Sequence, residues 1–478
     1  MPSAVRSLVF KLGLTFLVVL GLGLQPNWQP LLDDVRIAGA SGKLTDESRQ
    51  AIEDAYTRQP WNSDWAMRAG LAAGAFGDYE TAQAALRAAA ANGGWTPELH
   101  IALGDALAGS GDVDAAIAEW EAALPDRLTD PFLLDKLARA YEAKGRYPEA
   151  AATLRSLVAL EPQNAAAQYR FGLILAVIDP PSAPSHLALA AGMDPTVQPL
   201  VDSLNNAVEA GQQTGDESLT FAFIGQTLIL LGEFPLAKAA LLNALNERPD
   251  YAEAYALLGS AEEELGNDGE YAYQKALALN NDLALAHHLY GKYQWRKGQI
   301  DQAIASFKTA FELDPSNPAV PADLGGLYAA QADLPEAEFW YRQAVQVAPD
   351  KSLPWLWLAR FYVEYDLKVD GDGLLSAQKA VELDPESAPA HDVLGFAQYL
   401  NGDDQDAESN LAKAISLDPQ LASAHFHLGL LLLDGNRIEE AKQSLDRALT
   451  LDAGGPIAER AIQALARLGI TAQPTVTP

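Results

Sequence analysis

Residues 381–403 read VELDPESAPAHDVLGFAQYLNGD, and residues 415–436 read ISLDPQLASAHFHLGLLLLDGN. Both run through LDP, then AH, then LG. Pro385 and Pro419 stand 34 residues apart, and so do Gly395 and Gly429. A fixed period of that size signals stacked supersecondary units rather than independent domains. The prior of about three domains for a chain of 478 residues therefore does not apply.

One small-residue position carries the period along the chain. Gly70, Gly104, Ala138 and Gly172 step by 34, as do Gly225 and Gly259, then Gly291, Gly325 and Ala359, then Gly395 and Gly429. Three steps differ: 53 residues after Gly172, 32 after Gly259 and 36 after Ala359. Eleven units result, starting near residues 63, 97, 131, 165, 218, 252, 284, 318, 352, 388 and 422.

Each unit reads as two helices. Its fifteenth residue is glycine in seven units: Gly77, Gly111, Gly145, Gly232, Gly266, Gly298 and Gly402. Glycine tolerates the left-handed conformation that closes a helix. Three residues on, Pro148, Pro235 and Pro335 suit the first turn of a second helix, where no amide donor is needed. The glycine at the eighth position lies inside the first helix, where it costs about 1 kcal/mol relative to alanine. Close approach by the paired helix supplies the reason. Alanines recur at the twentieth position (Ala82, Ala116, Ala150, Ala237, Ala303, Ala337, Ala407, Ala441) and seven further on (Ala310, Ala344, Ala414, Ala448). Large residues sit between them: Trp120, Phe307, Tyr341 and Leu411. Small holes facing large knobs predict ridge-and-groove packing of the two helices.

These features resemble the tetratricopeptide repeat family over about residues 63–455, best in the unit at 318–351 with Gly325, Tyr328, Ala337, Tyr341, Ala344 and Pro349. The resemblance implies an all-α fold: a right-handed superhelical solenoid of about eleven helix–turn–helix units, with an N-terminal hydrophobic segment and a C-terminal capping helix. The organisation then reads as an anchor or signal segment at 1–30, a tether and starting helix at 31–62, and four units at 63–195. An extra helix and linker follow at 196–217, seven units at 218–455, a closing helix at 456–469 and a disordered tail at 470–478. The second half of the unit at 165 is proline-rich, and the unit at 252 has a shortened turn.

The N-terminal stretch LGLTFLVVLGLGL, Leu12–Leu24, follows Arg6 and Lys11 and precedes Trp28. Its core suits a secretory signal, but no small-x-small site lies close behind it. Thirteen residues fall short of the roughly 20 that cross hydrocarbon; counting from Leu8 with Lys11 snorkelling gives 17. The reading is a membrane anchor through residues 8–24 with the repeats extracytoplasmic, the alternative being secretion after cleavage.

Composition narrows function. No cysteine is present, which removes disulfides, thiolate metal sites and cysteine nucleophiles. Net charge is −31, against the cationic surface that nucleic acid requires. Phosphate loops and the GxSxG and HExxH motifs are absent. No cofactor is expected, and no enzyme activity. His287-His288 and His425-Phe426-His427 could suggest metal. However, His100, His287, His391 and His425 all fall at the fourth position, which Trp355 fills in its own unit, so they read as packing residues. DLKVDGDG, Asp366–Gly373, lacks two ligands of a calcium loop and reads as a structural turn.

The resemblance implies a groove lined by the second, fifth, sixth, ninth, twelfth and thirteenth positions of the first helices. Three candidate patches follow: a basic one of Lys136, Arg139 and Arg170; a mixed one of His288, Lys292, Trp295 and Arg296; and an apolar one of Trp357, Phe396, Tyr399, Phe426, Leu430 and Leu433. Basic residues could receive an acidic segment, and aromatic anchors a partner's helix or extended peptide. The expected function is a non-catalytic scaffold that binds a partner protein or peptide segment in that groove. An assembly chaperone or adaptor for several envelope clients is the narrower alternative, and a self-assembling structural protein the remaining one.

Overall fold

The computed structural model describes residues 45–467. Leu12–Leu24, the tether to residue 44 and the tail at 470–478 lie outside the described residues. Within them there are twenty-five α-helices and no strand. The chain divides into two compact units, residues 1–213 and 214–478.

The first unit opens with α1 (Asp46–Arg58). Four hairpins follow: α2 (Ser63–Ala75) with α3 (Tyr79–Gly93), α4 (Pro97–Gly109) with α5 (Val113–Ala123), α6 (Pro131–Ala143) with α7 (Tyr147–Leu160), and α8 (Ala165–Ile178) with α9 (Ala183–Met193). α10 (Gln198–Thr214) closes the series, burying Val201, Leu204, Ala207 and Val208 on one side. The starting points are written in the capping residues. Asn62, Thr96, Asp130 and Asn164, 34 apart, accept backbone N–H groups from the first turns of α2, α4, α6 and α8. The proline-rich stretch at 180–182 forms a 3-10 turn leading into the short α9. α1 lays Ile52 and Tyr56 against Ala69, Ala72 and Ala85, covering the exposed end of the first hairpin.

The second unit holds seven hairpins. They are α11 (Glu217–Leu230) with α12 (Phe234–Glu247), α13 (Ala252–Glu264) with α14 (Glu270–Leu279), α15 (Ala284–Arg296) with α16 (Ile300–Leu313), and α17 (Ala319–Ala330) with α18 (Leu334–Val347). The series continues with α19 (Ser352–Glu364) and α20 (Leu374–Leu383), α21 (Ala388–Leu400) and α22 (Asp404–Leu417), and α23 (Ala422–Asp434) and α24 (Ile438–Leu451). α25 (Pro456–Arg467) caps the array, packing Ala461, Ala464 and Leu465 on Phe426, Leu445 and Ala448.

The recurring glycine is explained by contact. A Cβ at Gly104 would stand 2.5 Å from Trp120, at Gly291 2.7 Å from Phe307, at Gly325 2.9 Å from Tyr341, and at Gly395 2.8 Å from Leu411. These are the knobs expected from sequence. Leu86, Leu187, Leu241, Tyr273 and Leu445 serve the same way for Gly70, Gly172, Gly225, Gly259 and Gly429. Every alanine at the twentieth and twenty-seventh positions named above has a relative exposure of 0%. The core is thus a line of small-against-large contacts inside each hairpin, extended between hairpins by apolar clusters.

The turn after ten of the eleven first helices repeats one hydrogen bond, the proline-rich turn after α8 being the exception. Asp112 N–H donates to Leu107 carbonyl at 2.9 Å, Gln299 to Gln294 at 2.8 Å and Arg437 to Leu432 at 2.8 Å, each reaching back five residues. The residue before the donor is left-handed: Gly111 has φ 88° and Gly298 74°. Where no glycine stands, Ala332 (60°), Asp366 (52°) and Asn436 (59°) take the same conformation. For Ala332, with no polar side chain to compensate, that costs about 1–2 kcal/mol. The repeat geometry imposes the bend whether or not the local residue favours it.

The two-residue insertion at Asp366–Gly373 forms a π turn at Val369–Gly373. Lys368 pairs with Glu338 at 2.7 Å, and Asp372 with Arg342 at 2.7 Å. Both charged residues thus tie the turn back to α18. Among the described residues no helix is long and apolar enough to cross a membrane. The expected membrane contact at residues 8–24 lies outside them.

Candidate partner-binding surface

First helices of successive hairpins lie side by side, so a side chain meets partners about one repeat away. The expected basic patch is built this way and is not a free cationic surface. Lys136 Nζ pairs with Asp105 at 2.5 Å, a residue on the preceding first helix. Arg139 pairs with Asp135 at 2.8 Å. Arg170 reaches Asp135 and Glu142, both at 2.6 Å, and its side chain is 15% exposed. Burial works against ionisation of Asp135, but hydrogen bonds from Arg139 and Arg170 outweigh it and hold the carboxyl below its usual range. These three cations join α4, α6 and α8.

The mixed patch divides into buried, paired and exposed residues. His288 is buried and bonds Asp323 of α17 at 2.7 Å. Arg296 pairs with Glu263 at 2.6 Å. Lys292 is exposed, and Trp295 is half-buried, meeting Phe307 edge-on. The apolar patch is corrected likewise. Phe396 and Phe426 are 8% and 3% exposed and belong to the packing between hairpins. Phe396 stacks on His427, with centroids 3.8 Å apart. Tyr399, Leu430 and Leu433 remain half-buried at the surface, and the Tyr399 hydroxyl donates to Asp434 of α23. Trp357 is half-buried and lines a cleft.

That cleft lies on the first-helix face and has a volume of about 280 Å³. α17 contributes Gly326, Ala329 and Ala330; α19 contributes Trp357, Arg360, Phe361 and Glu364; Tyr341 and Tyr365 complete it. Sequence reasoning missed Gly326, Arg360 and Glu364 as surface features. A signal was available: Gly326 is the one glycine at the ninth position of any unit, doubled with Gly325. Burial, with Glu364 nearby, pushes the Tyr341 phenol up to about 12, so at neutral pH it is a hydrogen-bond donor.

The histidines are structural, by a more specific device than packing. His287, His391 and His425 each place Nε2 against the carbonyl six residues earlier: Asn281 at 2.8 Å, Pro385 at 2.9 Å and Pro419 at 3.2 Å. Trp355 and Gln168, also at the fourth position, donate to Pro349 at 2.9 Å and Pro162 at 3.2 Å. The fourth position therefore ties down the loop that enters the hairpin. His100 differs, bonding Glu119 at 2.6 Å and stacking on Trp95. Also unforeseen was a buried pairing 35 residues apart. Asp392, whose side chain is 2% exposed, accepts from His427 at 2.7 Å and from Ser423 at 2.6 Å. Among the described residues no group of three or more His, Cys, Asp or Glu is placed to hold a metal ion.

Models described as tetratricopeptide repeat match residues 67–130, 136–178, 294–355 and 394–456, within the span of the hairpins above. The chain belongs to the tetratricopeptide repeat (TPR) family. A 136-residue stretch is 26% identical to the mouse protein O-mannosyl-transferase TMTC1, covering 27% of this chain and 14% of that relative. The chain thus spans a small part of the length of the curated relative it matches. Among solved structures, yeast Tom70 is similar at 16% identity over 85% of this chain and 95% of that one, with a TM-score of 0.43. The Cut9–Hcn1 hetero-tetramer of APC/C is similar at 14% identity over 91% and 96%, with a TM-score of 0.47. The twenty-five helices of the described residues comprise TPR hairpins and their flanking helices in each of the two units.

Proposed function

We propose that this chain is a non-catalytic protein-interaction scaffold. It holds an extended segment of a partner protein against the first-helix face of its second unit, and residues 8–24 tether it to a membrane with the repeats extracytoplasmic. The observation that carries this reading is the cleft between α17 and α19, open on a face where Trp357, Tyr399, Leu430 and Leu433 are half-buried rather than covered. Aromatic anchors in a concave site commonly dominate the energetics of association. The non-catalytic part is supported by the hairpins, which together with the single helix α10 fill the chain from Ser63 to Leu451.

The test is capture from the native host by the full chain, by a Trp357→Ala/Tyr399→Ala variant and by Phe339→Ala. Phe339 is 50% exposed on the second helix α18 and controls for loss of any surface ring. The expected result is one dominant partner, lost with the double variant and kept by Phe339→Ala. Equal capture by all three would contradict the assignment of the face. Many weakly held clients on every bait would favour the chaperone alternative instead.

A further inference from the structure

The cleft exists because one unit omits the side chains that its neighbours carry. At the ninth, twelfth and thirteenth positions α15 presents Lys292, Trp295 and Arg296, and α19 presents Arg360, Val363 and Glu364. Between them α17 presents Gly326, Ala329 and Ala330. The ring of Trp295 leans over that gap: a Cβ on Gly326 would lie 3.2 Å from its Cη2. Trp357 lines the cleft from α19, and the Tyr341 hydroxyl reaches within 3.4 Å of the same Cβ position. The Trp357 indole, a floor of small residues and the Tyr341 phenol form a socket, with Trp295 packed beside its Gly326 edge.

Its size and charge define what it takes. A volume of about 280 Å³ lies at the lower edge of the roughly 300–1,000 Å³ typical of small-molecule sites. It suits a single large side chain. Arg360 stands on the rim and is exposed. The chain carries 64 acidic residues, and the other arginines among the described residues engage carboxylates, amides, carbonyls or rings, Arg170, Arg342 and Arg437 each holding two carboxylates. Among the described residues Arg360 is the arginine that makes no ion pair, hydrogen bond or ring stack, and it does not pair with Glu364 one turn away on the same rim. An arginine left open beside an aromatic socket is a bidentate receptor for a carboxylate.

We infer that this socket receives a large apolar side chain of an extended partner segment, and that Arg360 binds an Asp or Glu carboxylate next to it in that segment. The inference rests on the scaffold reading and specifies its ligand. Charge complementarity to Arg360, which holds no carboxylate of its own, commits the occupant to an acidic–apolar peptide, with its acidic residue on the Arg360 side of the rim and away from Glu364. The phenol of Tyr341 is placed to donate to a backbone carbonyl of the same segment.

The test is selection of a displayed random dodecapeptide library on the full chain in mild detergent. Enriched peptides should carry Trp, Phe or Leu with Asp or Glu within about two positions. Gly326→Leu fills the socket. Ala330→Leu does so from an exposed position, where folding is not at stake. Both should weaken the selected peptides by about tenfold or more. Arg360→Glu should switch the enriched neighbour from acidic to basic. Peptides that bind both leucine variants as tightly as the wild type would overturn the socket and leave the scaffold reading standing. Retention of the acidic preference by Arg360→Glu would overturn the role of Arg360. Enrichment of nothing on the wild-type chain would overturn the peptide-binding reading and this inference together.

Discussion

Phe307→Ala should cost the second unit about 3–5 kcal/mol. The ring is fully buried, fills the hole left by Gly291, and meets His288 and Trp295 at centroid distances of 5.8 and 6.5 Å. Its removal leaves a cavity, because the alanine methyl is too small to span the gap and the facing glycine has no side chain. Repeat arrays need not unfold in one step, so the loss should be read locally. Amide exchange in α15 and α16 should accelerate strongly, and the urea midpoint of the transition containing those helices should fall. Unchanged protection there would mean that the hairpin is not held by this contact.

Gly325→Leu attacks the same device from the other side. The new Cβ would meet the Tyr341 ring at 2.9 Å, far inside ordinary contact, so α17 and α18 must separate. Overpacking of this kind costs about 1–3 kcal/mol. The sign of the coupling is also expected: with Tyr341→Ala present, Gly325→Leu should cost less than it does alone, since the ring it strikes is gone. An unchanged melting temperature for the single variant, or strict additivity of the two, would show that the eighth position does not face its partner helix. The neighbouring Gly326 makes a useful contrast. Its Cβ would stand no closer than 3.2 Å to any side chain, so a substitution there alters the surface socket more than the hairpin.

Much of this architecture was legible because the repeat is punctuated by residues with narrow conformational reasons. Glycine at the fifteenth position, proline three residues on, and glycine at the eighth position each mark a backbone event, and the first helices begin where that punctuation places them. The surface was less legible for two physical reasons. Packing and groove-lining positions of a first helix are both apolar, so Phe396 and Phe426 could not be told from Tyr399 and Leu433 without knowing burial. Charge patches were misleading because they were counted along the chain rather than across it. Lys136 is neutralised by Asp105, 31 residues earlier, and Arg170 by Glu142 and Asp135, 28 and 35 residues earlier. At a period of 34, those separations place the groups on adjacent first helices. His288–Asp323 and His427–Asp392, both 35 apart, follow the same rule. Once the period is known, the question for any groove cation is what stands about one repeat away. Arg360 is distinguished by that question.

The most direct test of the central reading is site-specific photo-crosslinking in the native host. A photoreactive side chain would be placed at Trp357 or Arg360 on the first helix α19. The comparison positions would be Phe339 and Leu375, 50% and 61% exposed on the second helices α18 and α20. A crosslinked partner is expected from positions 357 and 360 and none from 339 and 375. Crosslinks confined to 339 and 375 would contradict that reading, and would place the working surface on the second helices.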